Sequence, residues 1–140
     1  MYPAADIPVV QLSLDMTKGP AYHFELARQL KALRERGVLI LGSGNIVHNL
    51  RQIRWEANAQ PHDWALEFDQ WMKTKLEQRD FNAIQHDYLK TAAGRLANPS
   101  QDHYYPLLYT LGASLPSDDL SFIYEEMQNA SLSMRSVRLG

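Results

Sequence analysis

The chain has 140 residues, of which 45% are hydrophobic and 21% charged, the range of one ordinary soluble globular domain. Its 14 basic and 16 acidic side chains leave a formal net charge of -2, so there is no cationic surplus to hold a phosphate backbone, and nucleic acid is not an expected partner. Cysteine is absent, which excludes disulfides and thiolate chemistry and leaves histidine and carboxylate as the available metal ligands.

Residues 1–6 have neither a basic segment nor a following apolar run, and no stretch approaches the roughly 18 apolar residues that a membrane span needs. The expected location is cytoplasmic, with no membrane contact. Residues 8–14, Pro-Val-Val-Gln-Leu-Ser-Leu, combine β-branched side chains with apolar/polar alternation and predict a strand whose start is buried. Lys18-Gly19-Pro20 supplies a turn, and Leu26, Leu30 and Leu33 then recur at helical spacing up to Gly37, a helix with a glycine stop.

Val38-Leu39-Ile40-Leu41 is an uninterrupted apolar run, as in a strand covered on both faces, so strand, helix and strand together suggest a right-handed parallel crossover. Trp64, Phe68 and Trp71, joined by Ala65, Met72 and Leu76, build one apolar face and predict a helix over 63–78. A second helical stretch is expected over 80–96. Ala97-Asn98-Pro99-Ser100 breaks the pattern, with Ser100 a candidate N-cap for a helix through Leu107, Leu108 and Leu111 to Gly112, and His103 in its first turn. In the tail, 120–139, alternation changes phase near Ser136, which predicts paired strands carrying a bulge. The fold class is α/β, a mostly parallel sheet with flanking helices and a C-terminal strand pair, in one domain over 1–140.

Among the five histidines, His48 stands out. Gly42-Ser43-Gly44-Asn45 follows the apolar run directly, where open α/β sheets place ligand sites, and its glycines allow close backbone approach to a substrate. A neutral imidazole just beyond could exchange protons near pH 7. Spacing alone leaves His48 equally open to a capping or core role. A nucleophile elbow needs glycine where Leu41 stands, and a dinucleotide loop needs glycine where Val47 stands, so Ser43 reads as structural. In Asp102-His103-Tyr104-Tyr105-Pro106, the histidine could bind metal or substrate with Asp102 orienting it, although taken alone a surface or capping role explains the cluster better. His23, His62 and His86 read as solvated or capping.

Three segments resemble the class III extradiol dioxygenase superfamily, specifically its DOPA-dioxygenase-type group: Pro8 to Asp15, Gly42 to Arg51, and Asp102 to Ala113. The similarity runs along nearly the whole chain. It implies a non-haem enzyme using iron(II), or zinc in some members, that opens a catechol ring beside the diol with dioxygen. It further implies that His48 is the acid/base that moves protons, that His103 is a metal ligand, and that Asn45 and Tyr104 line the substrate pocket. The family's other metal-binding histidines lie in an N-terminal half, so the chain is expected to be a C-terminal part of a catalytic domain, with an incomplete fold and poor activity by itself. An apolar sheet edge would then favour self-association or pairing with an N-terminal half. The alternative is a non-catalytic relative that binds a small aromatic or a protein partner. A hydrolase using Ser43 and His48 has no assigned acid.

Overall fold

The apolar stripe of 63–78 becomes α2 (Asp63–Glu77), which buries Ala65, Phe68, Met72 and Leu76 along one face. Each large apolar side chain withdrawn from water there contributes about 1.5–3 kcal/mol before the entropy of ordering it. The structure, a computed structural model, describes residues 3–56 and 58–140. Ahead of α2 lies α1 (Pro20–Leu30), begun by Pro20 and continued as a 3-10 turn over Lys31–Arg36 that ends at Gly37 in the left-handed region. The expected helix is therefore present but tightens over its last two turns, its stop at Gly37 as anticipated.

The helical stretch expected over 80–96 is two short helices, α3 (Phe81–His86) and α4 (Ala92–Ala97). The Asp80 side chain accepts from Ala83 N at the start of α3, and Thr91 accepts from Gly94 N at the start of α4. Two caps so close together start two helices instead of one. α5 (Tyr105–Gly112) packs along α1 and carries Tyr105, Leu108, Tyr109 and Leu111 into the core.

The C-terminal region folds into nested antiparallel pairs. β1 (Leu120–Tyr124) lies against β4 (Ser136–Leu139), and β2 (Met127–Gln128) lies against β3 (Leu132–Ser133) within them. The β1–β4 register shifts between Phe122 and Tyr124, opposite Ser136, so the phase change read near Ser136 reflects a bulge on the facing strand. Arg135 anchors this region to α2: its guanidinium meets the Asp69 carboxylate at 2.5 Å, and Ser133 Oγ donates to the same carboxylate at 2.6 Å.

Helices and strands together make the chain α/β, but the parallel crossover does not form. Among the described residues every ladder is antiparallel, and 8–14 and 38–41 run without ladder partners. Far from being buried, Val9 and Val10 are 89% and 91% exposed, and Leu39 and Leu41 are 65% and 71% exposed. A strand covered on both faces needs neighbours on both sides, and none of the described segments pairs with these tracts, although Leu14 packs against the core.

Candidate active site

The Gly42–Asn45 loop is held by the backbone of the segment that carries His103. Asn45 N donates to His103 O at 3.0 Å. A Cβ on Gly44 would lie 2.1 Å from that same oxygen, and one on Gly42 would lie 2.4 Å from Pro106 O. The glycines were expected to admit a substrate to the backbone; what they admit here is the turn bearing His103, so that the two motifs fold against each other.

His48 is fixed from two further sides. Its N–H donates to Ala97 O at the end of α4 at 2.9 Å, and it bridges to Leu132 of β3. Its ring is buried, with Nδ1 3.1 Å from Asn45 O and Nε2 3.0 Å from Ser100 O. A neutral imidazole carries one N–H, so only one of these contacts can be a donated hydrogen bond; the other sets a lone pair against a carbonyl oxygen. Burial, followed by the neighbouring His103, pushes the His48 pKa below its ordinary value, against the two carbonyls that raise it.

His103 stacks on His48, with ring centroids 4.9 Å apart. Its Nε2 lies 3.6 Å from the Asp102 carboxylate, within reach of an orienting contact but too long for a hydrogen bond. Asp102 accepts from Ser100 Oγ at 2.5 Å, and that hydrogen bond is the main cause of its lowered pKa. Ser100 is therefore not the N-cap of α5. The helix begins later, at Tyr105 with Pro106 in its first turn, and His103 occupies the preceding turn. His48, His103, Ser100, Asp102, Pro99, Leu50 and Arg51 line one cavity of about 220 Å³.

Of the four residues assigned to the site from sequence, His48 and His103 meet and the other two stand elsewhere. Asn45 directs its side-chain amide to Ser133 O at 2.8 Å, so it braces the loop beneath His48. Tyr104, expected as a pocket residue, is fully buried in the core, stacked on Tyr88 at 4.2 Å and donating its hydroxyl to Ile84 O. A side chain so enclosed has no face left for a substrate.

His23 also departs from expectation. It is fully buried between α1 and α5, its Nδ1 3.0 Å from the Tyr109 hydroxyl and its ring 4.4 Å from that of Tyr105. His86 is exposed as expected. His62 holds the N-cap position of α2, its carbonyl accepting from Ala65 N and Leu66 N, but its side chain makes no cap hydrogen bond and instead lies with Nε2 3.0 Å from Gln52 O. Sequence reasoning missed Ser100 and Arg51 as cavity residues; the signal was present for Arg51, three residues beyond His48 in the same motif.

Among the described residues no group of three or more His, Cys, Asp or Glu side chains could hold a metal ion. His103 can supply one ligand, and Asp102 beside it is engaged by Ser100. The residues present therefore do not make a metal centre of their own.

The site is thus a buried imidazole stacked on a second one at a small cavity. Residues 1–139 match the family described as the catalytic LigB subunit of aromatic ring-opening dioxygenase, and the chain belongs to that family. It is 44% identical to the 4,5-DOPA dioxygenase extradiol of Escherichia coli K12, covering all of this chain and 52% of that protein. It is 31% identical to the 4,5-DOPA dioxygenase extradiol of Beta vulgaris, covering 99% of this chain and 51% of that protein. The crystal structure of an uncharacterized protein from Escherichia coli K12 superposes on the whole chain with a TM-score of 0.92 at 43% identity, over 58% of its own length. The chain thus spans about half the length of the curated relatives it matches.

Proposed function

We propose that this chain contributes the proton-transfer part of a non-haem, metal-dependent extradiol dioxygenase that opens the ring of a catechol, DOPA being the compound named in its relatives. The observation that supports this reading is the convergence of His48 and His103 on one cavity, from two separate motifs. In this reading His48 is the acid/base and His103 a metal ligand. Burial keeps the His48 imidazole neutral near pH 7, so it can accept a proton from a ring hydroxyl and return it as the ring opens. Ser100 O stands at Nε2, so a substrate hydroxyl must compete with that carbonyl for the nitrogen. Asn45 holds the loop in place from outside the cavity.

Iron(II) or zinc, the metals the resemblance implies, needs more protein ligands than the one His103 offers. We assign those ligands to a second polypeptide stretch corresponding to the other half of the longer relatives, and we place the catalytic unit in the cytoplasm. The exposed tracts 8–14 and 38–41 fit this reading: their β-branched and apolar side chains suit strands of a parallel sheet that a partner, or a second copy of the chain, would complete. The alternative, a non-catalytic relative that holds a small aromatic or a protein partner, draws on the absence of a three-ligand cluster among the described residues.

The experiment is complementation. The purified chain with iron(II) and a catechol should consume no oxygen, and addition of a polypeptide equivalent to the remaining half of the Escherichia coli relative should restore uptake and the colour of the opened ring. Turnover by the chain alone would overturn the need for outside ligands. Failure of every complemented mixture would favour the non-catalytic alternative.

A further inference from the structure

The mechanism above uses His48 and His103 and leaves unexplained a cation in the same cavity. Arg51 lines it together with both histidines, Leu50 and Pro99. Its main chain is fixed: Arg51 N donates to Asn49 Oδ1, and the Asn49 amide donates to Leu96 O at 2.8 Å, with Asn49 itself buried. Its guanidinium makes no hydrogen bond or ion pair among the described residues. Asp102, the one carboxylate lining this cavity, is occupied by the Ser100 hydroxyl and faces His103. An anion brought by a ligand would therefore meet no competing internal partner at Arg51.

We propose that Arg51 is the specificity-determining residue of this site and receives the carboxylate of a catechol bearing a short acidic side chain. The proposal rests on the ring-opening reading above and deepens it. A guanidinium presents a planar fork that matches a carboxylate through two parallel N–H···O bonds, which a neutral side chain cannot engage. Leu50 and Pro99 offer apolar surface to the ring, and the histidines mark where the hydroxyls go. The cavity volume of about 220 Å³ falls below the roughly 300–1,000 Å³ of sites for drug-sized ligands, which suits one ring with a short arm. Because Arg51 sits three residues after His48, in a short 3-10 turn whose start is pinned by Asn49, grasping the carboxylate also sets the ring's direction relative to His48.

The test uses the isotope-labelled chain complemented, as above, with a polypeptide equivalent to the remaining half of the longer relatives and with zinc. Chemical shifts of the Arg51 side chain and of the His48 and His103 rings are followed during titration. The probes are 3-(3,4-dihydroxyphenyl)propionate and 4-propylcatechol, which share the ring and arm and differ in the carboxylate. The acid should bind about tenfold more tightly, the size of one charge-assisted contact. Arg51→Gln should remove that advantage, weakening the acid about tenfold more than it weakens 4-propylcatechol, while Arg51→Lys should retain part of it. Equal binding of the two probes, or equal weakening of both by R51Q, would overturn the role of Arg51 while leaving the catechol reading in place. If neither probe shifts His48 or His103, the catechol reading falls and this inference with it.

Discussion

The rings of His48 and His103 lie nearly parallel, their centroids 4.9 Å apart and their planes 24° from each other. At that separation the charge of His103 reaches the His48 ring and, after burial, is a cause that holds the His48 pKa down. Replacing His103 with Gln should therefore raise the pKa of His48, as read from the pH dependence of its ring proton resonances. A His48 titration unmoved by H103Q would show that burial alone sets it.

Gly44→Ala should cost about 3 kcal/mol, the upper part of the range for overpacking. The added Cβ would lie 2.1 Å from His103 O, a backbone atom with little room to yield. Urea unfolding should register the loss, and the ring resonances of His48 and His103 should move apart from their wild-type positions. An unchanged midpoint would mean that the loop and the turn are not tightly held together.

Arg135 and Asp69 tie the C-terminal strands to α2, with side chains only 6% and 13% exposed. Removing one partner strands a buried charge, so Arg135→Ala should destabilise the fold by about 3–5 kcal/mol. Arg135→Ala combined with Asp69→Ala should cost less than the sum of the single changes. Additive losses in denaturant titrations would contradict the pairing.

His23 gives stability a pH dependence. Burial lowers its pKa, and its Nε2 has no partner among the described residues. The unfolded chain therefore takes up the proton first as pH falls through the ordinary histidine value of 6.5, so the folded state loses stability below that pH. The urea midpoint should fall between pH 8 and pH 5.5, and His23→Phe should flatten this fall. A midpoint that rises as pH is lowered would reverse the sign and the argument.

Features set by local chemistry could be read from the sequence. The α2 stripe, the Gly37 stop and the C-terminal bulge all depend on neighbours within a few residues or on a single hairpin, and all appear as expected. The division between α3 and α4 was also written locally, in the caps Asp80 and Thr91, but helical periodicity over 80–96 hid it. The parallel sheet was not legible in the same way: Val9, Val10, Leu39 and Leu41 carry strand-like patterns, yet a strand is made by its neighbours and the described residues provide none. At the site, motif resemblance brought His48 and His103 forward. Tyr104 was misplaced because a tyrosine beside a candidate ligand can as readily point its ring into the core, as this one does against Tyr88.

The central claim is that His48 moves protons and His103 binds metal. Its most direct test is to measure bound iron and catechol-dependent oxygen uptake together, in the complemented enzyme, for His48→Gln and His103→Gln. The account predicts that H48Q keeps its iron and loses most of its turnover, by about 10²–10⁴-fold as for other general acid/base residues, whereas H103Q loses iron and activity together. Iron lost from H48Q and retained by H103Q, or full turnover in H48Q, would contradict it.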